Sequence, residues 1–279
     1  MFTTIPPFSS TAWPYRIVRI ATLTMPGWWL LNAFFLPGYA QLPLQQEWTN
    51  TDFNHRNIEL QEITRGGPPK DCIPSIDEPQ FISPAEAAEW LHPKEPVVAF
   101  EQHGEARAYP LQILIYHEII NDRVAGTPVT ITFCPLCYSA IVFDRRVNKM
   151  TLDFGTTGRV RKSDMVMYDR QSESWWQQLT GTGIIGKYTG VTLAQLPSMI
   201  TSFDAFRTTW PAGKVLSKAT GSDRPYGNNP YRHYDDISST PLLFNEPLDT
   251  RLPPMERVLA LQVRDQQRIY PFAVLRDQR

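Results

Sequence analysis

The stretch that decides the fold class is Thr-Ile-Thr-Phe-Cys-Pro-Leu-Cys, residues 130–137. Its β-branched and aromatic residues predict a strand, which ends in a Cys-x-x-Cys turn that holds two of the chain's three cysteines. Residues 140–147 (AIVFDRRV) and 150–155 (MTLDFG), separated by Asn148 and Lys149, predict two further strands joined by a turn. The two cysteines are therefore expected to join strands, whereas a thioredoxin-type motif opens a helix.

The remaining pattern predicts a mainly β (α+β) fold, with an antiparallel β-rich core and short helices. At 42% hydrophobic content over 279 residues, the chain can bury a large core. The predicted organisation is a signal peptide at 1–40, an N-terminal surface segment at 41–65, a β-rich domain with the Cys-x-x-Cys hairpin at 66–220, a loop or linker at 221–257 and a truncated second repeat at 258–279.

The evidence for a repeat is an internal alignment. Residues 258–275 align without gaps on residues 97–114 with six identities in eighteen positions, where chance gives about one or two. This suggests one full unit plus the start of a second copy. The second copy has either decayed to a closing hairpin or belongs to a shortened form of a longer protein.

The N-terminal segment indicates export. Arg16 and Arg19 precede an apolar run at 21–36, which meets the small-x-small site Gly-Tyr-Ala at 38–40. The alternative, a membrane anchor, is disfavoured because the run is short and interrupted by proline, glycine and asparagine. We therefore expect a periplasmic or extracellular protein without a stable membrane span after cleavage. With 27 basic and 28 acidic residues, nothing indicates nucleic-acid binding, and no other partner is indicated.

Two sulfurs at this spacing suit three different roles. The preferred interpretation is metal binding, with Cys134 and Cys137 as ligands of zinc or copper. The first alternative is a disulfide that staples a β-rich ligand- or partner-binding module without catalysis. The second is a thiol–disulfide oxidoreductase in which Cys134 attacks and Cys137 resolves. It ranks last because the helix that would activate the attacking thiol is not predicted.

His117 and Glu118 are polar residues inside an apolar run. Imidazole is a common companion of two thiolates on zinc or copper, so His117 is the predicted third ligand. Glu118 is then expected to orient the imidazole by a hydrogen bond. The alternative is a hydrogen-bonded core histidine beside an exposed carboxylate.

Three other sulfur-bearing residues are weaker ligand candidates. Met165 and Met167 lie on one face of a predicted strand, where core packing is the default and thioether ligation would indicate copper. Cys72, the odd cysteine, follows a turn-rich segment and is interpreted as a small buried residue, with a ligand role as the alternative.

Trp175, Trp176 and Gln177 precede a glycine-rich segment. Large rings beside flexible backbone can line a pocket, so these residues are candidates for a binding surface. The alternative, which we prefer, is that they close the end of the β core.

Six motifs occur in an order that resembles one known family. They are GGPPKD at 66–71, RAYP at 107–110, HEIIND at 117–122, FCPLC at 133–137, SDMVMYDR at 163–170 and WQQLTG at 176–181. Together they resemble the bacterial and archaeal family labelled domain of unknown function 3179, over about residues 66–279. Cys72 departs from the glycine usual there, and family members are commonly longer. The resemblance implies no activity.

Overall fold

The computed structural model describes residues 44–232, 234, 236–263 and 266–276. The expected signal peptide at 1–40 lies outside the described residues. Within the described part, no helix is long and apolar enough to cross a membrane.

Antiparallel strands dominate the chain, as predicted. The strands are β1 Ile63–Arg65, β2 Phe81–Ile82, β3 Pro96–Gln102, β4 Glu105–Pro110, β5 Ile119–Val124, β6 Thr127–Cys134, β7 Ser139–Asp144, β8 Arg146–Val147, β9 Met150–Thr151, β10 Phe154–Arg161, β11 Asp164–Asp169, β12 Trp175–Gln177, β13 Thr182–Ile185, β14 Gln195–Leu196, β15 Ser198–Ser202, β16 Lys214–Leu216, β17 Val258–Val263 and β18 Gln266–Pro271. The α-helices are α1 Leu44–Glu47, α2 Pro84–Ala87, α3 Leu111–His117, α4 Phe203–Thr209 and α5 Phe272–Arg276, with a 3₁₀ turn at Leu60–Glu62.

Three sheets carry most of these strands. Sheet I has the order β1-β10-β11-β12-β13, sheet II the order β14-β7-β6-β5, and sheet III the order β15-β3-β4-β16-β2. The pairs within them are antiparallel except β16 with β4, which is parallel. Hairpins that pair neighbouring strands of the sequence, such as β5-β6-β7, explain this preference, because a tight turn can join only antiparallel strands.

Sheet II supplies side chains to two hydrophobic cores, which explains why β6 is buried without interruption from Pro128 to Cys134. Ile131 and Phe133 point into the core shared with sheet III, whereas Cys134 belongs to the core shared with sheet I. Successive side chains of a strand point to opposite faces, so a strand between two cores is buried at every position. Cys134 therefore enters the interior on the side that faces sheet I.

The segment 221–257, called the covering loop below, has turns but no helix or strand among its described residues. It nevertheless packs on the β domain. Tyr116 Oη, for example, donates a hydrogen bond to the Asn228 carbonyl, 2.7 Å away. The covering loop therefore reaches across the surface near the end of α3.

The C-terminal hairpin β17–β18 is a separate two-stranded sheet. It pairs Val258 with Pro271, which matches the pairing of Val97 with Pro110 in β3–β4, and each hairpin is followed by a helix. The surroundings differ, because β3–β4 lies inside sheet III whereas Leu259 of β17 is 42% exposed. The internal repeat is not confirmed and stays a prediction.

Candidate metal centre

The Cys-x-x-Cys motif forms the turn between β6 and β7, which confirms that it joins two strands. Cys134 is the last residue of β6 and pairs with Ser139, the first residue of β7. Cys134 is 1% exposed, whereas Cys137 lies exposed on the turn. Both are free thiols in this structure. The hairpin thus carries one cysteine on its exposed turn and holds the other in the interior.

The third member of the site is Asp164, the first residue of β11 in sheet I. One of its carboxylate oxygens and the two cysteine sulfurs lie within 4.8 Å of one another. Its Oδ2 accepts hydrogen bonds from the Leu179 amide, 3.0 Å away, and from Gln177 Nε2. Its Oδ1 accepts from Cys137 Sγ, 3.3 Å away. Sheets I and II therefore bring three potential metal donors to one point.

Burial opposes negative charge on Cys134, on Asp164 and on the neighbouring Glu118. It raises the pKa of Cys134 well above its ordinary value, and the neighbouring Cys137, Asp164 and Glu118 raise it further. Burial also raises the pKa of Asp164, and it raises the pKa of Glu118 to about 8. A divalent cation would offset this cost, because it stabilises thiolate and carboxylate forms directly.

Polar side chains around the turn fix the orientation of its donors. Ser139 Oγ lies 3.0 Å from Cys137 Sγ and donates to Gln178 Oε1, 2.8 Å away. Gln178 Nε2 in turn donates to Thr132 Oγ1 at 2.8 Å. Gln178 has no exposed surface, so this chain of hydrogen bonds links the exposed sulfur to the interior of sheet II.

The covering loop closes one side of the site. Tyr234 Oη donates to the Leu136 carbonyl, 2.8 Å away, and accepts from the Leu242 amide at 3.1 Å. Ser163 Oγ donates to the Leu242 carbonyl at 2.7 Å, and the Ser163 carbonyl lies 3.8 Å from Cys134 Sγ. Cys134 is therefore screened from solvent by the chain that precedes β11.

His117, the predicted third ligand, lies outside this group. Its Nδ1–H donates to the Pro74 carbonyl, 2.7 Å away, because a carbonyl can only accept. In the neutral ring, Nε2 then accepts from Tyr226 Oη at 2.6 Å. Burial lowers the pKa of His117, which favours this neutral form. Both ring nitrogens are thus engaged, and the histidine anchors the covering loop.

Glu118 lies near Cys134 at the end of β6. Its backbone has a φ of +59° and its carbonyl accepts from the Phe133 amide at 2.8 Å, which sets it beside the end of β6. Its carboxyl group is close enough to raise the pKa of Cys134. Within the described residues it makes no hydrogen bond to His117, so the predicted orienting role is not realised.

Residues 70–279 match the model of a family described as Protein of unknown function (DUF3179). The chain belongs to this family. The resemblance seen in the six sequence motifs is thereby confirmed, and the matched region contains all three members of the site. Neither the curated proteins nor the solved structures contain a match to the chain.

Asp164 is the member of this DUF3179 site that sequence reasoning missed. It stands in the SDMVMYDR motif immediately before a predicted strand. An acidic residue at the end of a buried strand was the available signal. Nothing in the local pattern, however, indicates that this strand end lies against the Cys-x-x-Cys turn.

The other sulfur-bearing candidates do not belong to the group formed by Cys134, Cys137 and Asp164. Met165 and Met167 are buried in the hydrophobic cluster that also contains Cys134, in agreement with core packing. Cys72 is exposed and does not belong to the metal-ligand group. The expectation of a buried Cys72 is wrong, because the turn that carries it lies on the surface.

The aromatic pair of β12 is part of the interior. Trp175 packs edge-on against Trp48, and Trp176 packs edge-on against Phe154 on the opposite face of the strand. Both tryptophans have no exposed surface, and Gln177 is 5% exposed. The structure therefore places them in the core, where Gln177 supports Asp164, and not on a binding surface.

Proposed function

We propose that this chain is an exported zinc-binding protein whose metal ligands are Cys134, Cys137 and Asp164. The observation that carries the proposal is the convergence of the three donor atoms within 4.8 Å. Two of them come from one turn and the third from a strand of another sheet. The N-terminal sequence pattern supports the export part of the proposal.

The spacing of the donors suits a tetrahedral ion. With Zn–S and Zn–O bonds of ordinary length, ligand atoms of one zinc ion lie about 3.5–3.8 Å apart. The donors lie within 4.8 Å of one another, and Cys137 Sγ is already 3.3 Å from Asp164 Oδ1, so side-chain movements of at most about 1 Å bring all three to these separations. Cys137 lies on the exposed turn, where its side chain can rotate.

The donor chemistry favours zinc over copper. Two thiolates and a carboxylate form a mixed soft and hard set, which suits a borderline ion such as Zn²⁺. Copper would be favoured if the thioethers of Met165 and Met167 were ligands, but both side chains fill the hydrophobic core. Three protein ligands leave one coordination position for water or a further ligand.

The surrounding hydrogen bonds support the same assignment. Asp164 Oδ2 is held by Leu179 and Gln177, while Oδ1 faces Cys137 Sγ and is the oxygen placed to coordinate; such support is usual around metal ligands. Zinc must displace the thiol protons of Cys134 and Cys137 on binding. We therefore expect zinc affinity to weaken as the pH falls.

The test is metal content by mass spectrometry on protein exported and purified without chelator, with free thiols counted in the same sample. We expect near-stoichiometric zinc in the wild type and its loss in Asp164→Asn and Cys137→Ser. Asp204→Asn, which changes an exposed helix residue that pairs with Arg207, is the matched control. His117→Gln should also retain zinc. Zinc loss in His117→Gln together with retention in Asp164→Asn would reject the assignment.

A further inference from the structure

The two sulfurs of the site differ in their access to solvent. Cys137 is exposed on the hairpin turn. Cys134 is 1% exposed and lies beneath the Ser163 carbonyl, which is 3.8 Å from its Sγ. Both are free thiols within the same 4.8 Å group. A reactant in solution therefore reaches Cys137, and Cys134 is reached only from Cys137.

We infer that a small-molecule disulfide oxidises this pair in a fixed order, Cys137 first and Cys134 second, and that the oxidation releases the zinc ion. The inference rests on the zinc site proposed above and adds redox control of its occupancy. The order is the reverse of the oxidoreductase alternative considered from the sequence, in which Cys134 attacks.

The reaction is a pair of thiol–disulfide exchanges. In the first, Cys137 Sγ bonds to one sulfur of the reagent and the reagent's S–S bond breaks. The departing thiolate takes up the Cys137 proton in metal-free protein, and a proton from water in zinc-loaded protein, where Cys137 is already a thiolate. In the second, Cys134 Sγ attacks the Cys137 sulfur of the mixed disulfide, and the second thiolate departs and is protonated in the same way. Two electrons pass from the protein to the reagent, which leaves as two thiols.

The turn geometry permits the second exchange. A disulfide requires the two sulfurs to approach to about 2 Å, and they start within 4.8 Å. Rotation of the exposed Cys137 side chain supplies most of this movement, so sheet II does not have to change. After oxidation neither sulfur is a thiolate, and Asp164 alone remains as a zinc ligand. A single carboxylate does not retain zinc, because tetrahedral sites use three or four protein donors.

The experiment uses oxidised glutathione as the reagent and Cys72→Ser as the parent protein. Cys72 is exposed and lies outside the group, so its removal leaves the pair under study as the remaining thiols. Intact-mass spectrometry follows the protein, and a chromogenic chelator follows zinc. From zinc-loaded parent we expect one zinc released for each intramolecular disulfide formed, with no glutathione retained.

The order of reaction is decided on metal-free protein by trapping. In the parent background, Cys134→Ser should stop with one glutathione attached to Cys137. Cys137→Ser should react at least about tenfold more slowly than the parent. Circular dichroism of each variant checks that the fold is retained, so slow reaction is not confused with misfolding.

Two results overturn the inference while leaving the zinc site intact: a parent that stops at the mixed disulfide, or a Cys137→Ser variant that reacts as fast as the parent. Failure of the proposed function has a different signature. A reduced parent that takes up no zinc rejects the zinc site and the release step, while the trapping series still decides which thiol reacts first.

Discussion

Replacement of Glu118 by glutamine should change how the stability of the metal-free protein depends on pH. The Glu118 side chain is 8% exposed, and burial raises its pKa to about 8 from an ordinary value of 4.5. The folded protein therefore holds this group protonated at a pH where the unfolded chain has already released the proton. Its contribution to stability is complete below the unfolded pKa and is lost as the pH rises toward the folded pKa.

The size of the effect follows from the two pKa values. Linkage between folding and proton binding predicts a loss of roughly 3–4 kcal/mol in the free energy of unfolding between about pH 5 and about pH 8. Glutamine has nearly the same shape and does not ionise in this range, so Glu118→Gln should lack this loss. Urea denaturation at several pH values, with chelator present, measures the free energy of unfolding of both proteins. The difference between the two curves isolates Glu118 from the other titrating groups.

Parallel curves for the wild type and Glu118→Gln would refute this reasoning, because they would mean that Glu118 ionises as easily in the folded protein as in the unfolded chain. A wild-type free energy of unfolding that rises with pH relative to Glu118→Gln would mean that the pKa of Glu118 is lowered in the folded protein, as a cationic partner would lower it. Glu101→Gln, at an exposed position, is the matched control and should leave the pH dependence of the wild type unchanged.

Urea denaturation also checks three further predictions. Asp122→Asn removes a carboxylate oxygen that lies 2.5 Å from Arg107 Nη1 in the interior, so we expect a loss of about 3 kcal/mol at neutral pH. Gly158→Ala should lower the free energy of unfolding by about 2 kcal/mol or more, because Gly158 has a φ of +66° and the added Cβ would overlap the Pro68 carbonyl oxygen. Its control is Gly67→Ala, whose Cβ meets nothing within 4 Å and which should cost less than about 1 kcal/mol. Burial lowers the pKa of His117 below its ordinary value of 6.5. The stability that depends on the neutral ring is therefore complete above pH 6.5 and is lost as the pH falls through the lowered pKa of the folded protein. His117→Gln should remove that acid-side loss.

Much of the fold was predictable because it depends on short-range patterns. The run at 130–137 and its successors predict a hairpin, and β6 and β7 form one with the cysteines at its turn. The methionine pair at 165 and 167 predicts a strand with one buried face, and both side chains lie in the core. In each case neighbouring side chains of the strand alternate between its two faces, so the local pattern indicates which side chains share a face.

The candidate site was predictable only in part. Cys134 and Cys137 are close in sequence, so their proximity follows from the turn alone. Asp164 joins them because β11 of sheet I lies beside the end of β6 in sheet II. This contact joins segments that are about thirty residues apart in the chain and belong to different sheets, so no local period predicts it. The same limitation explains why the sequence did not reveal the partners of His117, since Pro74 and Tyr226 are 43 and 109 residues away.

The class of fold, the family and the pair of sulfurs follow from residue types and from spacings within a single strand or turn. The third side chain of the site and the difference in exposure between the two cysteines follow from tertiary packing. Both depend on how separate sheets and the covering loop pack against one another, and the period of a single strand carries no information about that packing.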